Sequence, residues 1–205
     1  MNERSEATRA ALVEAARRLF VEKGYFATGT EEIVREAGVG TRGALYHHFT
    51  DKAALFLAVF HQVEQDLIGA TPAPEGENAL ARLRAGLLGF LDASTTPEVQ
   101  RILLIDGPAV LGWPRWRELE AQYGLGALEA LLQTAAAQGD LTPSPVGALA
   151  HLLLAAVDEA ALFIANADDP PAARDEAVIA MDQLLAGLTS TPPKERPGSD
   201  QSGSA

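Results

Sequence analysis

Two helical patterns between residues 31 and 55 are separated by a short stretch of small residues, and this interruption constrains the fold more than any other feature. Glu31 to Ala37 sets apolar Ile33, Val34 and Ala37 at helical spacing. Gly38-Val39-Gly40-Thr41-Arg42-Gly43 follows, and then Ala44-Leu45-Tyr46-His47-His48-Phe49. A further helical pattern opens at Asp51. Two short helices joined by a glycine-bearing turn are the outline of a helix-turn-helix, whose second helix enters the DNA major groove. On that reading Gly43 and Ala44 permit a close backbone approach. Thr41 and Arg42 offer groups to phosphates or base edges, Tyr46 and His47 face the duplex, and Leu45 and Phe49 point inward. Neighbouring His47 and His48 diverge by about 100° on a helix, so they do not form a metal pair of the i, i+4 kind. No metal and no cofactor is expected.

The N-terminal segment, residues 8–65, resembles the DNA-binding domain of the tetracycline-repressor (TetR) family. The matching residues are Gly24-Tyr25 at the end of the first helix, Thr28 and Thr30 opening the second, and Ile33 with Ala37-Gly38-Val39. Gly43 to Phe49 and Asp51-Lys52-Ala53-Ala54-Leu55 complete the match, with the spacing aromatic-His-His-Phe-x-x-Lys as its most specific part. Three residues separate Val39 from Gly43, where the family pattern has two, so Thr41 reads either as the helix cap or as a reading residue. The resemblance implies an all-α protein of about nine helices. Residues 1–70 would form the three-helix DNA-binding domain (motif about 30–49), and 71–188 a helical effector-binding and dimerisation domain. The Pro-, Ser- and Gly-rich tail, 189–205, is expected to be disordered. Thr28, Thr30, Thr41, Arg42, Gly43, Tyr46, His47 and Lys52 are the expected contacts to double-stranded DNA. Lys52 sits in the first turn of a helix, where a cation is unfavourable for the dipole unless a phosphate docks there.

The same stretch fits the dinucleotide fingerprint at Gly38-x-Gly40-x-x-Gly43, with Glu64 near the distance of the ribose-binding acid. That motif needs a strand before it, and Glu31 to Ala37 is helical in pattern. No G-x-S-x-G, H-E-x-x-H or P-loop sequence is present. A nucleotide-binding helical enzyme is therefore the remote alternative, and no enzymatic activity is expected.

Charge at first opposes a nucleic-acid partner, because the net charge is −12. Its distribution answers this. Residues 1–60 hold eight Lys/Arg and eight Asp/Glu, and residues 61–205 hold eight and twenty, so the acidic excess lies beyond the motif. The absence of cysteine fits a reducing cytoplasm. No charged-then-apolar leader opens the chain, and the apolar run from Leu152 to Ala165 is broken by Asp158 and Glu159, so no membrane association is expected.

Along the chain, Leu12, Ala15, Ala16, Leu19 and Phe20 form one stripe of a first helix over about 8–23, closed by Gly24. Thr28-x-x-Glu31 reads as a capping box, with Thr30 the alternative cap. The recognition helix covers about 41–47, and a helix capped by Thr50 or Asp51 runs to about Ile68. Thr71-Pro72-Ala73-Pro74-Glu75-Gly76 breaks the chain. Helical patterns follow over about 78–93, 97–105, 113–138, 145–166 and 172–188, with a short turn near 109–112.

In the TetR family this second half binds a small molecule and dimerises through its last two helices, and the residues present can host both. Phe90, Leu103, Asp106, Trp113, Trp116 and Tyr123 offer aromatic bulk with few polar groups, as a small-molecule cavity does. His151 and Asp158, seven apart on one helix face, are candidates to fix the polar end of an unknown, largely apolar effector. Twelve of the fifteen residues from His151 to Ala165 are apolar, so that helix is buried on most sides. Leu154 and Ala161 on it, with Met181, Leu184 and Leu188 on the last helix, are the expected homodimer surface. The resemblance implies a transcriptional regulator, a repressor that leaves a pseudo-palindromic operator when effector binds. The alternative within the same fold is a regulator that answers to a protein partner or to no ligand.

Overall fold

The apolar stripe of the N-terminal segment forms as its spacing dictates. In the computed structural model, which describes residues 3–71, 73 and 75–189, helix α1 (Glu3–Lys23) buries Leu12, Ala15, Ala16, Leu19 and Phe20. Gly24 ends it at φ +82°, a left-handed conformation that disfavours any side chain. A Cβ there would also strike the Arg101 guanidinium. Helix α2 (Thr30–Glu36) follows, then α3 (Arg42–His48) and α4 (Lys52–Ala70). The 99–111 stretch is a π-wound segment, Val99–Asp106, running into α6 (Gly107–Leu111) after α5 (Ala79–Ala93). Beyond it stand α7 (Trp113–Glu120), a second π segment Ala121–Leu125, α8 (Gly126–Ala137), α9 (Val146–Ala165) and α10 (Pro170–Gly187).

The expected 97–105 and 113–138 helices are thus present as composite helices, each with a wider π turn. Such turns carry one extra residue in an otherwise α-helical ladder and often border functional sites. The fold class, an N-terminal helix-turn-helix followed by a C-terminal helical bundle, stands as expected. Ten α-helices are described where about nine were expected, because the π segments divide the longer patterns. Among the described residues the one extended pairing is an isolated bridge between Leu141 and Thr189. The tail expectation, apart from Thr189, falls on residues outside the described set, as does the side chain of Tyr123.

Helix α4 is the spine. Its 19 residues span about 28 Å at the α-helical rise of about 1.5 Å per residue. The N-terminal part buries Leu55, Phe56, Val59 and Phe60 against α1 and the π segment, while Val63, Glu64 and Leu67 belong to the C-terminal bundle. Asp51 caps it by accepting from the Ala54 N–H at 2.7 Å. Asn78 and Asp169 cap α5 and α10 in the same way. Gly107 is a second position where glycine is required, since a Cβ would lie 2.9 Å from the Trp116 ring and 3.1 Å from Phe60.

Helix α9 is long and apolar enough to cross a membrane by composition. Asp158 and Glu159 interrupt its apolar run from Leu152 to Ala165. In the structure α9 packs against α5, α8 and α10, with Ala150, Leu153, Val157, Ala161 and Ile164 buried. It is a core helix of the bundle.

Candidate DNA interface and effector cavity

Thr41 takes the cap position of α3, with extended backbone (φ −148°, ψ 154°) and no side-chain cap bond. Arg42 is therefore the first helical residue. Thr41, Arg42, Gly43, Tyr46 and His47 are exposed together, while Leu45 and Phe49 are buried beneath them. Arg42 lies 2.9 Å from Glu31 of α2. Hydrogen bonding by Arg42, and then by Thr30, draws the Tyr46 phenol below its ordinary pKa, so these three side chains are neighbours on one face. Thr30 is half-buried at the start of α2.

Two of the expected DNA contacts face elsewhere. Thr28 is 1% exposed, and its hydroxyl donates to the Gly24 carbonyl at 2.8 Å. The capping box does not form; Gly29 occupies the cap of α2 without a side-chain bond. Lys52 folds back on the α1–α2 turn. Its ammonium donates to the Tyr25 carbonyl at 2.9 Å and the Thr28 carbonyl at 3.0 Å, and sits 4.0 Å from the centre of the Tyr25 ring. Burial lowers its pKa. The unfavourable dipole position is therefore offset by two carbonyls and an aromatic face, in place of a phosphate. Lys52→Met should destabilise the protein by about 1–3 kcal/mol in urea unfolding, because two carbonyls lose their charged donor. An unchanged midpoint would show the clamp to be without consequence.

The C-terminal bundle encloses a cavity of about 300 Å³ between α4, α5, both π segments, α8 and α9. Phe90, Leu103 and Asp158 line it, together with Leu83, Leu87 and Leu128. Leu154, expected at a dimer surface, also lines it. Other expected lining residues do not. Trp113 is 60% exposed. Trp116 is buried against Gly107 and donates its indole N–H to the Leu103 carbonyl at 2.9 Å. The Arg117 guanidinium lies over both rings, 4.7 and 4.5 Å from their centres. His151 is exposed, whereas Asp158 is buried, so the two do not act together.

Asp106 has a different place again. Buried at the end of the π segment, its carboxylate accepts the backbone N–H of Tyr25 at 2.8 Å and the Arg101 Nε–H at 3.3 Å. It ties the bundle to the α1–α2 turn that Lys52 holds from the other side.

Two acidic residues that the sequence reading did not assign to the cavity line it. Glu64 of α4 and Glu120 of α7 join Asp158 there. Burial, aided by the Asp158 charge, pushes Glu64 up to about 8. Burial likewise raises Glu120 to about 9 and Asp158 to about 7, with Arg117 opposing the rise in both. Arg117 Nη1 is 2.7 Å from Glu120 and 3.6 Å from Asp158 Oδ2, and that oxygen has no hydrogen-bond partner among the described residues. Helical spacing could have found the pair Glu64 and Leu67 on one α4 face, but a glutamate on an amphipathic helix normally marks its wet side.

Residues 12–59 match the family model for bacterial regulatory proteins of the tetR family, and 80–188 match that for the tetracyclin repressor-like C-terminal domain. The chain belongs to the TetR family. The Transposon Tn10 TetC protein of Escherichia coli is 30% identical over 153 residues, 74% of this chain and 77% of that one. The HTH-type transcriptional regulator AcrR of Shigella flexneri is 33% identical over 103 residues, and that match spans about half of each chain (49% and 47%). A crystal structure of a TetR-family regulator from Pectobacterium atrosepticum is 32% identical, with a TM-score of 0.72 over 94% of this chain and 99% of that one. The crystal structure of RolR in complex with the ligand resorcinol shares the fold at 19% identity, with a TM-score of 0.66 over 92% and 90%. As a TetR-family member the chain is a DNA-binding transcriptional regulator and not an enzyme. Gly38 and Gly40 of the glycine fingerprint lie in the turn between α2 and α3 and Gly43 in the first turn of α3, preceded by a helix and not by a strand.

Proposed function

We propose that the protein is a cytoplasmic homodimeric repressor that leaves a pseudo-palindromic operator when a small molecule fills the cavity between α4, α5, α8 and α9. The observation that carries this reading is continuity. Helix α4 runs from the helix-turn-helix to Glu64 and Leu67 on the cavity wall, and the π segment runs from Leu103 on that wall to Asp106 beside Tyr25. An occupant that moves α4 or the π segment moves the α1–α2 turn with it. Release of DNA follows only where the ligand binds the non-DNA conformation more tightly. A gel shift against the gene's own upstream region, with and without candidate ligands, tests both halves of the reading. A protein that binds this region identically in the presence of a cavity-filling ligand would sink the effector half.

On the DNA side, Thr41, Arg42, Gly43, Tyr46 and His47 are the proposed contacts, with Thr30 at the edge. If Arg42 reads a guanine, Arg42→Ala should cost about 1–3 kcal/mol and relax specificity at one base pair. Fluorescence anisotropy with a set of operator point variants measures this. Equal weakening at every sequence would reassign Arg42 to a phosphate.

The dimer surface is proposed on the outer faces of α9 and α10. Ala161 and Met181 are buried within the subunit, and Leu154 faces the cavity, so the expected surface is rotated. Leu184 remains exposed and Leu188 half-buried, and Leu152, Phe163 and Ile179 join them as exposed apolar side chains. Such a concentration is costly to leave in water.

A further inference from the structure

The carboxyls of the cavity are not arranged as an ordinary apolar pocket would have them. The Thr71 hydroxyl, also on the wall, is satisfied by the Leu67 carbonyl at 2.8 Å. Glu64 is 5% exposed and, among the described residues, makes no hydrogen bond or ion pair. Asp158 is 7% exposed with Oδ2 unbonded. Arg117 supplies one positive charge against the three acids, and it reaches only Glu120 and Asp158. Buried polar groups are normally paired, so a Glu64 carboxyl with no partner, beside an Asp158 oxygen held only by the Arg117 charge at 3.6 Å, calls for a partner from outside. The rest of the wall is apolar, including Leu83, Leu87, Phe90 and Leu128. Among the described residues no three His, Asp or Glu side chains converge closely enough to hold a metal ion.

We propose that this cavity takes an organic monocation with an apolar body, its charge met by Glu64 and by the Asp158 oxygen that accepts no hydrogen bond. The inference rests on the reading of the cavity as the effector site. The body fills the apolar wall, to which Phe90 adds an aromatic side chain. Glu120, raised by burial, keeps its proton at neutral pH, and Arg117 balances Asp158, so the ionised Glu64 leaves one charge for the ligand. The groups facing Glu64 across the cavity are Asp158 of α9 and Glu120 of α7, with Arg117 behind them. In the empty cavity Glu64 keeps its proton at neutral pH. A cation replaces that proton, so binding releases about one proton and tightens as pH rises.

The test uses the full-length protein in titration calorimetry with three probes of similar size: benzyltrimethylammonium, whose charge is fixed at every pH, neutral benzyl alcohol, and phenylacetate. The cation should bind most tightly and phenylacetate least. Its affinity should rise about tenfold per pH unit below pH 8, where that of benzyl alcohol stays flat. Comparison of two buffers should show about one proton released per cation at pH 7. Glu64→Gln, close in shape and checked for folding by circular dichroism, should lose at least about tenfold in cation affinity and most of its pH dependence, with benzyl alcohol unaffected. Benzyl alcohol binding as tightly as the cation, no binding of the cation, or an unaltered Glu64→Gln would overturn the proposal. A gel shift separates the two readings. DNA release by benzyl alcohol but not the cation leaves the effector site standing and removes the cation. Cation binding with the pH signature but no release keeps the cation site and removes its regulatory role.

Discussion

Unfolding free energy should fall as pH rises from 5 to 9, and Glu64→Gln should be more stable than the parent at pH 8 by on the order of 2–4 kcal/mol. The sign follows from where the protons sit. Folding raises Glu64 from 4.5 to about 8. Between those values the unfolded chain has lost the proton and the folded chain keeps it, so each step up in pH favours unfolding. The stability of the neutral acid is complete below about 4.5 and is lost by the time pH passes about 8. Asp158, raised to about 7, and Glu120, raised to about 9, add slopes of the same sign. Half-buried acids drawn the other way, Glu32 by Lys23 and Asp182 by Arg84, gain their stabilisation near their ordinary values at the acid edge of this window. Urea unfolding of parent and variant at fixed protein concentration, at pH 5, 7 and 9, reads the effect directly. Parallel curves for the two proteins across that range would show that Glu64 ionises freely and that its cavity is wet.

Phe163→Glu should split the proposed dimer and weaken operator binding roughly 100-fold or more, because two recognition helices on one particle gain an effective concentration that separate chains lack. Phe163 and Leu152 are 48% and 68% exposed on α9, and Ile179 and Leu184 are 59% and 53% exposed on α10. Eleven residues separate the first two, close to three helical turns, so they share a face. Ala161→Glu would be a poor substitute. Ala161 is 0% exposed, and a charge there breaks the subunit's own core before it reaches any partner. Sedimentation and a gel shift on the same preparation decide the matter. A parent protein that sediments as a monomer and still binds its operator tightly would remove the dimer from the account.

Much of the architecture was legible because it depends on periodicity. The α1 stripe and the Gly24 stop are written in adjacent residues, and the α3 face from Thr41 to His47 follows from its own helical phase. What resisted reading depends on distant partners. Lys52 looked like a phosphate ligand because its two carbonyls lie 24 and 27 residues away. Asp106 looked like a pocket acid because its acceptor role is fixed by a backbone group 81 residues earlier. Alanine-rich α9 defeated phasing, since small apolar residues stand on every side and leave no stripe to separate Ala161 from Phe163. Trp113 and Trp116 looked like cavity aromatics because what holds them, Gly107 and the Leu103 carbonyl for Trp116 and the Arg117 guanidinium over both rings, is set by tertiary packing that composition does not show. Glu64 and Glu120 were hidden by the ordinary rule that carboxylates face water.

The bond from Tyr25 to Asp106 is asymmetric in what mutation can do to it. On one side it is a peptide N–H, which every residue but proline supplies. On the other it is a single side chain, and no neighbouring acid stands in for it. Sequence drift at position 25 can change the ring that Lys52 covers and leave this tether intact. At position 106 even the loss of one oxygen alters it. Under the proposed ligand response, this tether is robust at its receiving end and fragile at its sending end, so variants that no longer respond to ligand should concentrate at 106 and its partner 101 and spare 25.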